Sequence, residues 1–250
     1  MKKRIIALVL SVIILSGCAQ LMNIVQTATA ISELTEGDII SGLKEALTVG
    51  ARNAAQKLSL ENGYYGDQSV KIPLPEEAMV IVENISKIPG GDKLVEQVVL
   101  SINRAAEDAA REVAPIFVNA VTQMTITDGY NILHGADNAA TQYLIGTTYD
   151  QLYSLYMPKI SASTGKDIVA GISAQESWTT LTDKWNILAG SLAGRLAGFK
   201  PVNTDLDDFL TRKALDGMFL KVEGEELKIR KEVSARVTPL LQKVFGSLDS

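Results

Sequence analysis

Few side chains in this 250-residue chain are of types that do covalent or acid–base chemistry in an obvious arrangement. Cys18 is the only cysteine and His134 the only histidine. A thiolate is a nucleophile that can accept an acyl or alkyl group. A lone cysteine forms no disulfide within the chain, even in a compartment that would permit one. A lone imidazole falls short of the ligand set that zinc requires. His134 stands before Gly135 at a predicted helix end, where a cation suits the helix dipole. Glu176 precedes Ser177 on a predicted helix. Such a carboxyl, if buried, can serve as a general acid, although an exposed helix carboxylate is the simpler expectation. Asn203-Thr204-Asp205-Leu206-Asp207-Asp208 begins like a calcium loop. Its sixth position is Asp208 where the loop needs Gly, and its twelfth is Ala214 where it needs Glu. Helix capping accounts for those residues. No catalytic residue, metal or cofactor is therefore expected.

Cys18 has a context that gives its thiol a task. Met1, Lys2, Lys3 and Arg4 form a cationic start, followed by an apolar run over residues 5–15 that only Ser11 interrupts. The run is shorter than the ~20 apolar residues that span a bilayer and has the form of a secretory signal. It closes on Leu15-Ser16-Gly17-Cys18, which resembles the bacterial lipobox. The resemblance implies that residues 1–17 are removed as a lipoprotein signal peptide and that Cys18 receives the lipid. Residues 18–34 then form a lipidated tether. Ala19, rather than Asp, follows the cysteine. By resemblance to enterobacterial lipoproteins, that implies the outer membrane, with the domain facing the periplasm.

Glu176-Ser177 is also the pair that carries the catalytic Glu in helical lytic transglycosylases, which are often lipoproteins. Those enzymes continue with a Gly-rich stretch ending in Leu-Met-Gln. Here Trp178-Thr179-Thr180-Leu181 follows. A peptidoglycan hydrolase acting through Glu176 is thus the alternative to a non-catalytic binding domain.

The elements that must position these residues are helical. The formal net charge of −5 becomes more negative once Lys2, Lys3 and Arg4 are lost. That argues against nucleic acid and against a polybasic membrane patch. A hydrophobic content of 46% is ample for one packed core. Thr35 to Asp38 reads as a capping box, opening a helix with Ile39, Leu43, Leu47, Ala54 and Leu58 in register. Gly63-Tyr64-Tyr65-Gly66 breaks it. Val70 to Pro75 is extended, because proline disfavours helix before it. A helix from Pro75 runs to about Pro89-Gly90-Gly91. The clearest helix covers residues 92–113, with Arg104 and Asp108 on its polar face as an expected surface ion pair. Ile116 to Met124 mark another, and Thr127-Asp128 caps a short one ending at His134. Asp137 is expected to cap the next, and a further helix ends at Pro158. Residues 166–197 read as one long helical stretch. Its stripe of Trp178, Leu181, Trp185, Leu188 and Leu192 is core rather than pocket. Gly190, Gly194 and Gly198 on it suggest close packing. Thr204 caps a helix with Phe209, Leu210, Met218 and Phe219, followed by a charged helix and a last one over residues 237–245. No segment alternates as a strand does. The expected fold is all-α, a multi-helix bundle-like single domain.

Several stretches occur in order: Ile72-Pro73-Leu74-Pro75-Glu76, Asn103-Arg104-Ala105-Ala106-Glu107, Ala114-Pro115-Ile116-Phe117, Met124-Thr125-Ile126, Gly135 with Asp137 to Thr141 and Tyr143, and Lys213-Ala214-Leu215-Asp216-Gly217. Together they resemble one bacterial family, domain of unknown function 4197. The resemblance covers residues 35–246 and implies exported or lipid-anchored proteins of Gram-negative bacteria. It carries no catalytic residues. Arg104, Asp137 and Tyr143 within these stretches are the candidates for a ligand or partner site. The expected role is a membrane-anchored binding domain for an envelope protein or an apolar ligand.

Overall fold

The computed structural model describes residues 34–249. Residues 1–33, on which the predicted signal peptide, Cys18 and most of the predicted tether fall, lie outside the described residues. Among the described residues there are ten α-helices and no strand: α1 (Glu36–Leu58), α2 (Met79–Glu83), α3 (Gly91–Ala110), α4 (Val113–Gln123), α5 (Gly129–Leu133), α6 (Ala139–Thr164), α7 (Ala174–Gly190), α8 (Leu192–Leu196), α9 (Leu206–Lys231) and α10 (Pro239–Gly246). The fold class is all-α, as the periodicity predicts. The chain from Glu36 onward forms one compact unit.

α9 is the central helix and packs on both α1 and α6. Its buried residues, Leu210, Ala214, Leu215, Met218, Phe219, Val222 and Ile229, recur every three or four positions. α6 runs antiparallel to α9, since Thr141 meets Glu226 at one end while Thr164 meets Asp207 at the other. α4 and α10 close the outer side of α1, and α7 covers α3. Trp178 and Trp185 are buried as core residues, and their indole N–H groups donate to Thr204 and Lys200 carbonyls at 3.3 and 2.9 Å.

Several boundaries differ from those the sequence predicts. The helix after Pro75 is broken into a 3-10 turn, α2 and a second 3-10 turn. Pro158 does not end a helix but lies inside α6. Proline inside a helix costs about 3 kcal/mol or more, and burial of Tyr156, Ile160, Ser163 and Thr164 on the continuing turns offsets it. Residues 166–197 are not one stretch. α7 starts only at Ala174, and Ser191 interrupts before α8. At Gly194 a Cβ would sit 2.1 Å from the Leu188 carbonyl oxygen, so glycine is required for α8 to fold back on α7. Gly190 and Gly198 have no neighbour that close, so the predicted stripe reduces to one contact. Asp205, not Thr204, caps α9 by accepting from Asp208 N–H. α9 continues unbroken through the charged segment to Lys231.

Candidate functional site

Two of the polar residues that α3 buries are Asn103 and Glu107, which lie among Val98, Ile102, Ala106 and Ala110. They are one helical turn apart, so both face the segment that links α1 to α2. The Asn103 amide accepts from Ile72 N–H at 2.9 Å and donates to Ile72 C=O at 2.8 Å. It also donates to Val99 C=O at 2.7 Å. One oxygen of Glu107 accepts the backbone N–H groups of Tyr64 and Tyr65 at 3.1 and 3.0 Å. On the far side, the Tyr64 hydroxyl donates to Ala214 C=O of α9 at 2.8 Å. Burial, and then the neighbouring Tyr156, Glu107 and Asp216, push the Tyr64 phenol well above its ordinary range, so it stays a donor. The segment is thus clamped between α3 and α9.

Arg104 sits over this clamp. Its guanidinium donates to the second oxygen of Glu107 at 2.6 Å and to Asn62 Oδ1 at 3.0 Å, with Glu61 at 3.3 Å. The Tyr65 ring lies between Arg104, 5.6 Å from its centroid, and the Lys71 ammonium at 4.2 Å. A cleft of about 320 Å³ opens here, lined by Ser59, Glu61, Arg104, Glu107, Asp108 and Arg111. The expected partner of Arg104 was Asp108; the structure gives it Glu107 instead. Glu107 is held beneath Arg104 by the two backbone N–H groups. Asp108 turns to the end of α6, where it accepts from Ser163 at 2.8 Å and from Lys166, just past the helix, at 2.5 Å. Burial raises the Asp108 carboxyl, but Lys166 and Ser163 outweigh burial and hold it below its ordinary range.

The other two candidate residues lie elsewhere. Asp137 is exposed and pairs with exposed Lys231 at 2.9 Å. It does not cap α6, whose N-cap position is Asn138. Glu226 of α9 does that work instead, accepting from Ala140 N–H, Thr141 N–H and the Thr141 hydroxyl at 3.0, 2.8 and 2.7 Å. Tyr143 is half-buried and donates its hydroxyl to Thr125 C=O at 2.8 Å. Arg104, Asp137 and Tyr143 therefore do not converge on one site. Glu176 is exposed in the first turn of α7, where its N–H donates to the Ser173 hydroxyl at 3.0 Å. The His134 ring lies 4.1 Å from that of Tyr130 and its Nδ1 is 3.0 Å from Tyr130 C=O, at the end of α5. Among the described residues no three His, Cys, Asp or Glu side chains gather as a metal site.

Stretches far apart in sequence meet at the clamp: Ile72 from one, Asn103 to Glu107 from the next, and Ala214 with Gly217 from the last. A family model described as protein of unknown function, DUF4197, matches residues 33–246. The chain belongs to this family. No curated protein and no solved structure matches it. In this DUF4197 chain Asn103 and Glu107 of α3 hold the backbone of Ile72, Tyr64 and Tyr65.

Sequence reading singled out Arg104 but not Asn103, Glu107, Tyr64 or Glu226 as the positioning groups. The signal for the first two was present. An amide and a carboxylate four apart, on the side of α3 that also carries Ile102 and Ala106, have to be satisfied by something buried. Glu226 and Arg230 repeat that spacing on α9, among the buried Val222 and Ile229. Arg230 donates to Glu226 at 2.9 Å and to the carbonyls of Leu133 and Ile132 at 2.6 and 3.0 Å, closing the end of α5.

Proposed function

We propose that this protein is an envelope lipoprotein, anchored through a lipid on Cys18 and facing the periplasm from the outer membrane. Its helical domain binds a protein partner or an apolar ligand rather than catalysing a reaction. The observation that carries the binding reading is the clamp. Asn103, Glu107 and Tyr64 commit their polar atoms to fixing residues 62–72, which presents Tyr65, Lys71 and Arg104 on a rigid frame. Preorganisation of this kind lowers the ordering cost of binding. Anchoring by Cys18 is supported by the Leu-Ser-Gly-Cys context, and no helix among the described residues is long and apolar enough to cross a membrane. The hydrolase alternative loses support because Glu176 is exposed, whereas a general acid is tuned by burial.

Metabolic labelling with an alkyne fatty acid tests the anchor: label is expected on the wild type and absent from Cys18→Ala. Label that persists in Cys18→Ala would overturn it. Native mass spectrometry of residues 19–250 purified from the periplasm tests the ligand reading, with an extra mass expected that Arg104→Ala reduces. Turnover of purified peptidoglycan that Glu176→Gln abolishes would replace this reading with the hydrolase.

A further inference from the structure

The three most exposed large apolar side chains among those described cluster at one tip. Ile187 is 76% exposed, Leu192 69% and Leu196 81%. Leu192 and Leu196 are one turn apart on α8, and Ile187 lies in the last turn of α7. The tip is rigid. Ser191 caps α8 by accepting Gly194 N–H at 3.0 Å, and Gly194 is wedged against the backbone of α7. Beside it runs a mostly apolar groove of about 410 Å³, between Lys87, Ile88 and Pro89 on one side and Lys184, Ile187 and Leu188 on the other.

Net charge argues against a basic membrane patch on the chain as a whole, but the sequence of the tip itself is one-sided. From Lys184 to Thr204 there is no acidic residue, in a chain of net charge −5. Asp183, one turn before Ile187, is the nearest acid along α7. Lys184, Arg195 and Lys200 fall within this stretch. Lys87 joins them in space: its ammonium lies 4.5 Å from the centre of the Phe199 ring, which itself packs on Trp185 at 5.0 Å.

We propose that this tip is a membrane-contact surface that seats on anionic phospholipid, with Ile187, Leu192 and Leu196 entering the headgroup boundary and Lys87, Lys184, Arg195 and Lys200 meeting lipid phosphates. A stable protein interface buries about 800 Å² on each partner. A five-residue helix and one neighbouring turn make a knob far smaller than that. Exposed apolar side chains with cations in the same stretch and along the adjoining groove match the requirements of an interfacial anchor. The inference rests on the reading above that the domain is held at a membrane, but uses different residues.

Flotation of residues 19–250 with lipid vesicles tests it. This chain lacks Cys18 and keeps the whole compact unit from Glu36, so its result is independent of the fatty-acid labelling. Binding to vesicles of phosphatidylcholine with phosphatidylglycerol is expected, and little to phosphatidylcholine alone. Leu192→Ser with Leu196→Ser is expected to weaken binding by about tenfold or more. Lys184→Glu with Lys200→Glu is expected to remove the preference for anionic vesicles. All four positions are exposed, so circular dichroism of the variants is expected to match the wild type. Equal flotation of wild type and variants, or none by the wild type, would overturn the proposal. So would a dimer in light scattering that the leucine variant dissolves, which would give the tip to a second copy.

Discussion

Asn103 holds Ile72 by both of its backbone polar groups, accepting from N–H at 2.9 Å and donating to C=O at 2.8 Å. A side-chain amide is the one neutral group that offers acceptor and donor together at that spacing. Asn103→Ala strands two buried backbone groups, at a cost of about 1–3 kcal/mol each. The expected loss is about 2–4 kcal/mol in urea unfolding. Asn103→Asp keeps the acceptor but has no donor for Ile72 C=O, so it is expected to be destabilising as well. A loss below about 0.5 kcal/mol for Asn103→Ala, within the range of ordinary surface changes, would show that the clamp is not what fixes the segment.

Glu226 and Arg230 form a second buried device, with side chains 1% and 3% exposed. Glu226 satisfies the first N–H groups of α6 from a different helix, and Arg230 satisfies the last carbonyls of α5. Removing one partner leaves the other charge uncompensated. Glu226→Ala is expected to cost about 3–5 kcal/mol. Glu226→Ala combined with Arg230→Met is expected to cost less than the two single changes added, a coupling that a double-mutant cycle reads directly.

Acid sensitivity follows from Glu225 and Asp67. Burial lifts the Glu225 carboxyl, but hydrogen bonds from Lys57, Lys228 and Asn53 outweigh it and take it from its ordinary 4.5 down to about 2. The hydrogen bond from Lys221, and then that from Ser69, take Asp67 from 3.8 to about 2. Both groups bind protons more weakly in the folded state than in the unfolded one. Their stabilisation is therefore complete above about pH 5 and is lost as pH falls through about 4 toward 2. Asp67 is the more exposed of the two, so water screens its share. Urea midpoints measured down the acid range are expected to fall more steeply for the wild type than for Glu225→Gln. Equal slopes would assign the acid loss to other carboxylates.

Tyr156 is fully buried, and its hydroxyl has no hydrogen-bond partner among the described residues. Burial, and then the charge of Asp108, push its phenol far above the ordinary range, so it stays neutral at any working pH. A buried polar atom with no partner is a cost that phenylalanine does not carry. Tyr156→Phe is expected to leave stability unchanged or raise it by about 1 kcal/mol. A loss of more than about 1 kcal/mol would mean that the hydroxyl is satisfied in solution.

The class of fold was legible because α1, α3 and α9 bury residues at three- and four-residue spacing, which local sequence displays. What was not legible came from distance along the chain. Pro158 and the 166–173 segment were misplaced because their local preferences are decided by what they pack on. Asp137 was assigned to cap α6 because it stands just before the helix, whereas the group that satisfies those N–H donors, Glu226, is 86 residues away from Ala140. The lipid attachment proposed at Cys18 rests on its neighbours in sequence alone. Arg104 was legible as polar and in a recurring stretch, but its partner was not: Glu107 is fixed by Tyr64 and Tyr65, and no spacing rule within α3 reports that.

Two glycines of α9 give opposite predictions for the same substitution. At Gly217 a Cβ would lie 2.8 Å from Cε1 of Tyr64 and 3.4 Å from Cβ of Val70. The Tyr64 ring cannot swing aside, because its hydroxyl is held by Ala214 C=O and its own N–H by Glu107. The added methyl must push the clamped segment off α9. Gly217→Ala is therefore expected to cost about 1–3 kcal/mol, the usual range for overpacking. At Gly224, two turns on, nothing lies within 4 Å of a Cβ. There the gain of about 1 kcal/mol that alanine has over glycine in a helix interior is expected to appear in full. Thermal unfolding of the two variants side by side separates helix propensity, which is the same at both positions, from the seat of Tyr64, which only Gly217 touches. If both variants gained stability, the segment from Tyr64 to Val70 would not be held against α9 as described.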